Sequence, residues 1–449
     1  MIQTIIGAIL LLLPLGLAVF RRDKKKEIIF LLLVCFLFQT GLSLAVQSVK
    51  IFYYPVVLVA NILFILVLFS IYFFKDKKIY FGIRNIDLAL IFVILVSFAC
   101  LYQVHFRYSG EITLATDQIP AQYHKVSSMV YPYPYYSDEW YSVSFIKNAI
   151  NTHSLPLGPS ILRVRPFINL EVFFHSFLSG IFLLLKTDPL TSYQIVSIFF
   201  NILLICLSYL FLRLNGIKKS ISAISSLFIL YIACGASLPG IWHLLPVSFG
   251  VIFLLLALCF FSQKEAIFAL SALILACFCY PPFIFIYAIL FVLFLCFEVY
   301  HDYIRKRAKE IISIMFGLIP LLVFLVICFF IFAPAFLTSR IFFVAFSGFN
   351  QTNFYFQYMI PFPAIVLALA GLPHIYRKTK WLFWLFMFCL SLWTAYLFTF
   401  LRFFSEFERL IYLTSVLICM ISGLFGFAVF FNRRIIFIYY FNPFLYLPE

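Results

Sequence analysis

The residues best suited to chemistry lie in one polar stretch, residues 131–165, YPYPYYSDEWYSVSFIKNAINTHSLPLGPSILRVR. Asp138 and Glu139 stand side by side in it, and Arg163 and Arg165 close it. One carboxylate of such a pair can act as a general base while the other orients a substrate or holds a divalent cation. Guanidinium groups bind phosphate oxygens in bidentate contacts. The pattern predicts catalytic acids followed by an anion-binding pair.

Both features also have a structural interpretation. The acids can open a short helix over 140–151 with Ser137 as its N-cap, because negative charge is favourable at a helix N-terminus. The arginines can contact lipid headgroups without binding a substrate. Residue chemistry alone leaves these alternatives open.

A second charged cluster lies far along the chain, in LRFFSEFERL. Arg402, Glu406 and Arg409 are spaced by four and three residues, which places them on one face of a helix. The arginines either pair with neighbouring glutamates or face an anionic ligand. We predict that Arg402 and Arg409 join the anion-binding set and that Glu406 contacts substrate.

Four further residues are candidate substrate contacts. Tyr136 and Trp140 can stack on sugar rings, and His153 and His243 can donate or accept hydrogen bonds. Tyrosine and tryptophan also concentrate at membrane interfaces, and interfacial histidines commonly serve only as hydrogen-bonding groups. If a metal ion binds, Asp138 and Glu139 are its predicted ligands.

The composition indicates a membrane protein. Apolar residues make up 65% of the 449 residues and charged residues 11%, and apolar runs long enough to cross a bilayer as helices recur throughout. The net charge of +15 does not indicate nucleic-acid binding, because the basic residues stand between apolar runs instead of forming a patch. All eleven cysteines lie in apolar runs, which favours neither disulfides nor a metal site.

The predicted fold is an all-α integral membrane domain with about 13 transmembrane helices, which include spans over 190–212, 221–238, 244–262 and 311–333. With the N-terminus outside, most of the Lys and Arg fall on cytoplasmic joints, as the positive-inside rule requires. Residues 167–185 would reverse that pattern if they crossed, so we predict a surface or re-entrant helix. The chain divides into N-terminal helices (1–104), an external loop (105–189), a helical bundle (190–431) and a cytoplasmic tail (432–449).

The segment SDEWY, followed by a helix of the form FIKNAINTHSLP, resembles the first external loop of GT-C-type membrane glycosyltransferases. Those include protein mannosyltransferase-like and aminoarabinose transferase-like enzymes. The likeness covers roughly residues 130–262. It implies that Asp138 is the catalytic carboxylate, with Glu139 beside it, and that Arg163 and Arg165 reach the lipid phosphate. The chain departs from familiar members in having three helices before the one that leads into the loop.

The resemblance implies a glycosyltransferase of the cytoplasmic (inner) membrane with its site on the external face. Its partners would be a polyprenyl-phosphate-sugar donor and a sugar, lipid or protein acceptor, with no nucleic acid. Three alternatives stay open: a transporter or flippase for a lipid-linked glycan, an O-antigen polymerase or ligase-like enzyme, and a non-catalytic assembly subunit. A flippase would need polar residues that continue into the bilayer core, which are scarce in this sequence.

Overall fold

The computed structural model describes residues 2–20, 24–75, 87–116, 119–134, 137–157, 169, 171–232, 240–295, 360, 362–398 and 407–431. These residues are mostly helical, as predicted. The helices are α1 (Ile2–Gly16), α2 (Lys24–Ser48), α3 (Tyr54–Lys75), α4 (Leu88–Phe106), α5 (Ser137–Thr152), α6 (Val172–Leu185), α7 (Pro189–Leu214), α8 (Lys219–Leu227), α9 (Pro246–Gln263), α10 (Ala266–Cys279), α11 (Ile284–Phe294), α12 (Phe362–Lys378), α13 (Lys380–Phe398) and α14 (Phe407–Phe431). The strands are β1 (Tyr108–Thr116) and β2 (Ile119–Met129).

Five of the described helices are long and apolar enough to cross a membrane. They are Lys25–Ser48, Tyr54–Ile71, Leu88–Phe106, Pro189–Leu214 and Pro246–Gln263. A 30 Å hydrocarbon layer requires about 20 residues of helix, and these segments have that length or nearly so. The apolar helices indicate a membrane protein. The predicted span over 311–333 lies outside the described residues.

Helix α9 is the centre of the packed core. Almost all of its side chains are buried, because a helix that is apolar on every face must be covered on every face. It packs against α7, α10, α13 and α2. Phe36 of α2 meets Phe253 edge-on with ring centroids 4.8 Å apart, and Phe200 of α7 lies 4.8 Å from Phe249. These contacts pack α2, α7 and α9 together within the core.

Helix α6, inside the predicted surface or re-entrant segment, begins and ends at one end of the bundle. At its start, His175 lies 3.3 Å from Ser142 of α5. Just after its end, Asp188 pairs with Lys147 of α5 at 3.0 Å. Its 14 residues give a length of about 21 Å, too short to cross a bilayer. It is nevertheless buried against α2 and α5, so it dips into the protein instead of lying on the surface.

Two segments differ from the helical prediction. Strands β1 and β2 form an antiparallel hairpin in the predicted external loop, with Glu111 opposite Lys125. The span predicted over 221–238 is helical only as α8 and a 3-10 turn at Phe228–Tyr231, and residues 233–239 lie outside the described part. Together α8 and the turn span about 22 Å, less than the hydrocarbon thickness.

Glycine allows α14 to pack closely on α8. A Cβ atom at Gly423 would lie less than 3.0 Å from the Cα of Ser225, so a backbone would have to move. We expect Gly423→Ala to destabilise the protein by about 1–3 kcal/mol, the cost of overpacking. Thermal unfolding in detergent, followed by the loss of the monodisperse gel-filtration peak, measures the effect.

Gly41→Ala is the matched control. Gly41 also lies in a helix interior, and a Cβ atom there would meet nothing within 4 Å. Its unfolding temperature should be unchanged or slightly higher, because alanine is a better helix former than glycine. Equal losses for the two variants would contradict close packing of α14 on α8.

Candidate functional site

Helix α5 carries the acidic pair across one end of the bundle. It begins at Ser137, three residues before the predicted start, so Asp138 and Glu139 lie in its first turn where the helix dipole favours negative charge. One face, with Glu139 and Ser142, is buried, whereas Trp140 is exposed. Successive helical residues point about 100° apart, so neighbouring acids enter different environments.

Asp138 forms an ion pair with Arg409. Its Oδ2 atom contacts Nη2 of Arg409, which lies in the first turn of α14. The arginine side chain is 11% exposed, but that of Asp138 is 40% exposed, so the carboxylate remains open to solvent. The sequence predicts that Arg409 pairs with nearby glutamates or with a ligand; in the structure Arg409 contacts an acid 271 residues away in the chain.

Glu139 has the opposite environment and is completely buried. Its Oε1 atom accepts a hydrogen bond from the Leu244 N–H at 2.9 Å, and its Oε2 atom lies 3.4 Å from Nδ1 of His243. Buried carboxylates require such partners, because desolvation of an unpaired charge is costly. The predicted catalytic pair therefore consists of one accessible acid and one acid bonded to the protein.

Helix ends that are distant in sequence meet at this point. His105, near the end of α4, is close enough to Glu139, His243 and the backbone of Trp242 to interact with them electrostatically. The segment 240–245 leads directly into α9. The ends of α4, α5, α9 and α14 thus surround the acidic pair.

Helix α7 contributes a polar stripe that the sequence analysis did not identify. Tyr193, Ser197 and Asn201 repeat every four residues on one face, and their side chains bond the carbonyls of the segment 240–245. The O–H of Tyr193 donates to the Leu244 carbonyl at 2.6 Å, the closest of the three contacts. Polar residues at spacings of four in an apolar helix were the available signal.

A second buried network supports the same face of α5 about one turn further along the helix. Ser142 donates to the Asp138 carbonyl at 2.9 Å and lies 3.3 Å from Nε2 of His175, whose Nδ1 atom lies 3.1 Å from Oδ1 of Asn169. The order resembles a nucleophile, base and orienting group. Each of the three is at most 4% exposed, which is incompatible with attack on an external substrate. The network braces the first turn of α5.

The remaining predicted residues are dispersed. His153 follows α5 and lies 2.8 Å from the Phe52 carbonyl through Nδ1, so it contacts the corner between α2 and α3. Trp140 is 41% exposed beside Asp138, where a sugar ring could reach it. Five predicted site residues lie outside the described part of the chain: Tyr136, Arg163, Arg165, Arg402 and Glu406.

The two carboxylates of the acidic pair contact different groups. Asp138 faces Arg409, whereas Glu139 faces Leu244 and His243. Among the described residues, no group of three or more His, Cys, Asp or Glu side chains could hold a metal ion. This end of the bundle carries an accessible carboxylate in contact with a guanidinium group.

Comparison with protein-family models, curated proteins and solved structures finds no match to this chain.

Proposed function

We propose that the protein is a membrane glycosyltransferase of the GT-C type that moves a sugar from a polyprenyl-phosphate donor to an acceptor. The observation that supports this most is the ion pair of Asp138 and Arg409, in which a solvent-accessible carboxylate contacts a guanidinium group. A carboxylate can act as a general base, and a guanidinium group can bind phosphate. Such a transfer needs both groups at one position, because a proton leaves the acceptor while negative charge grows on the leaving phosphate.

In the proposed reaction, the Asp138 carboxylate removes the proton from an acceptor hydroxyl. The hydroxyl oxygen then attacks the anomeric carbon from the face opposite the phosphate. The bond between that carbon and the phosphate oxygen breaks, and its electron pair leaves with the polyprenyl phosphate. The product has inverted configuration, and Asp138 later returns its proton to water.

Arg409 would serve two partners in succession. Without donor it pairs with Asp138. When the donor binds, its guanidinium turns to the phosphate, which also frees the carboxylate to act as a base. Arg163, Arg165 and Arg402 are proposed to join it there. Exposed Trp140 would stack on the sugar, while Glu139 would hold α5 in place from its buried position.

The proposed topology has about thirteen crossings, with the α5 end of the bundle facing outward on the cytoplasmic membrane. In support, the ends of α4, α7, α9 and α14 that meet at the acidic pair are the ends that the positive-inside prediction assigns to the outer face. The two hydroxyls and the one amide of the α7 stripe bond the protein's own backbone, so they do not line a path for a transported glycan.

The test is sugar transfer by purified Asp138→Asn protein in lipid nanodiscs, with a panel of polyprenyl-phosphate monosaccharides as donors. Asp188→Asn is the matched control. Asp188 is also a half-exposed aspartate in an ion pair at the same end of the bundle, with Lys147 at 3.0 Å. Wild-type transfer by the Asp138 variant would exclude the proposed mechanism. Export of a lipid-linked glycan without transfer by the wild-type protein would favour a flippase.

A further inference from the structure

Buried polar side chains form hydrogen bonds with both backbone groups of Leu244, its N–H and its carbonyl. Its N–H donates to Oε1 of Glu139 at 2.9 Å, and its carbonyl accepts from the Tyr193 O–H at 2.6 Å. All three residues are buried, with relative exposures of 0%. We infer that Tyr193, Leu244 and Glu139 form a clamp that fixes the first turn of α5 and so determines where Asp138 meets Arg409.

The clamp joins three elements that are distant in sequence. Tyr193 belongs to α7, Leu244 precedes α9, and Glu139 belongs to α5. Helix α5 lies across the bundle end and packs mainly against α6 and α7. A hydrogen bond in a buried, water-excluded position defines geometry strongly, because its loss leaves a polar group unsatisfied.

The segment that carries Leu244 is itself immobilised. The hydroxyl of Ser197 bonds the Trp242 carbonyl at 3.1 Å, and that of Ser248 bonds the His243 carbonyl at 3.3 Å. Leu244 therefore has a defined position relative to α7 and α9 before Glu139 reaches it. Because the Leu244 N–H is fixed and the Glu139 carboxylate is buried, the hydrogen bond between them gives α5 one preferred position.

Tyr193 is on this basis a positioning residue for the proposed transfer, and so is Glu139. Neither would touch the substrate, because both side chains are fully buried. Asp138 is the neighbour of Glu139 on the same helical turn, so a shift of Glu139 moves Asp138 with it. A base that is misplaced by about 1 Å can lose up to about a hundredfold in rate.

Cross-linking tests the clamp without any substrate. Asp138 and Arg409 are both replaced by cysteine, and a short bifunctional thiol reagent joins them, with each single-cysteine variant measuring the background from the eleven native cysteines. Adding Tyr193→Phe removes only the hydroxyl. The cross-linking rate should fall about three- to tenfold, the shift in population expected from the loss of one buried hydrogen bond.

Tyr209→Phe is the control on the same helix. Tyr209 is also fully buried, and its O–H donates to Oδ2 of Asp87 at 2.7 Å, at the opposite end of α7. It should leave the cross-linking rate unchanged. Equal effects of the two phenylalanine variants, or no effect of Tyr193→Phe, would overturn the clamp.

A comparison of Glu139→Gln with Glu139→Ala is a second test, and it remains usable if Tyr193→Phe does not fold. Glutamine retains an oxygen that can accept from Leu244, whereas alanine does not. Cross-linking should be faster in Glu139→Gln than in Glu139→Ala, and equal rates would contradict the clamp.

The inference that Tyr193 serves catalysis rests on the proposed function, and the two can fail separately. If Asp138→Asn loses sugar transfer but Tyr193→Phe leaves the cross-linking rate unchanged, the clamp alone is contradicted.

Discussion

Sugar transfer by Asp138→Asn is expected to be about 10²–10⁴-fold slower than by the wild-type protein, the range that general bases contribute. Asparagine has nearly the same shape but cannot accept the acceptor proton. Initial rates with a saturating polyprenyl-phosphate-sugar donor provide the measurement. Because Asp138 is 40% exposed, its replacement by the isosteric amide should leave the folded protein intact.

The control separates loss of a base from loss of an ion pair. Asp188→Asn breaks the pair with Lys147 but removes no proposed base, so its transfer rate should stay near that of the wild-type protein. Both replaced aspartates are about half-exposed and asparagine has nearly the same shape, so neither variant should unfold. A parallel decrease in both rates would mean that the bundle end needs its ion pairs and not the Asp138 base.

Arg409→Gln is expected to lower the transfer rate about 10²–10³-fold, the typical loss when one charge-stabilising donor is removed. The guanidinium group is proposed to neutralise the phosphate as it leaves. The same substitution should weaken binding of farnesyl phosphate, a short polyprenyl monophosphate, measured by calorimetry in nanodiscs. Binding of farnesol should not change, because it has no phosphate.

Two comparisons make this prediction specific. Arg107→Gln removes an exposed arginine just after α4, at the same end of the bundle, and should have little effect on farnesyl phosphate binding. In the double variant Asp138→Asn/Arg409→Gln, the loss of rate should be smaller than the product of the single losses, because the two side chains are in contact. Full farnesyl phosphate binding by Arg409→Gln would contradict the phosphate-binding role.

Helix positions were largely predictable from hydropathy. The spans predicted over 190–212 and 244–262 correspond to α7 and α9 within two residues at each end. A continuous apolar run has few alternatives to a helix in lipid, because every backbone polar group must be satisfied within the segment. The β1–β2 hairpin was missed, because alternation in a short polar segment is a much weaker signal.

The organisation of the site was predictable only in part. The adjacent acids at the start of a predicted helix indicate that α5 carries the site, and the position of His243 near the membrane surface predicts a hydrogen-bonding role. Nothing in the local sequence linked Tyr193 to Leu244, because the contact joins residues 51 positions apart. The local sequence of one helix does not determine which distant helix packs against a given face.

By itself, the sequence determined that this is a chain of apolar helices whose acidic pair lies in its longest polar interruption. Only the tertiary structure decided which acid is accessible and which is buried, and that Arg409 is the partner of Asp138. The physical reason is that neighbouring helical residues point about 100° apart, so packing assigns one to solvent and the other to the core. Which helix supplies the counter-charge depends on how distant helix ends meet.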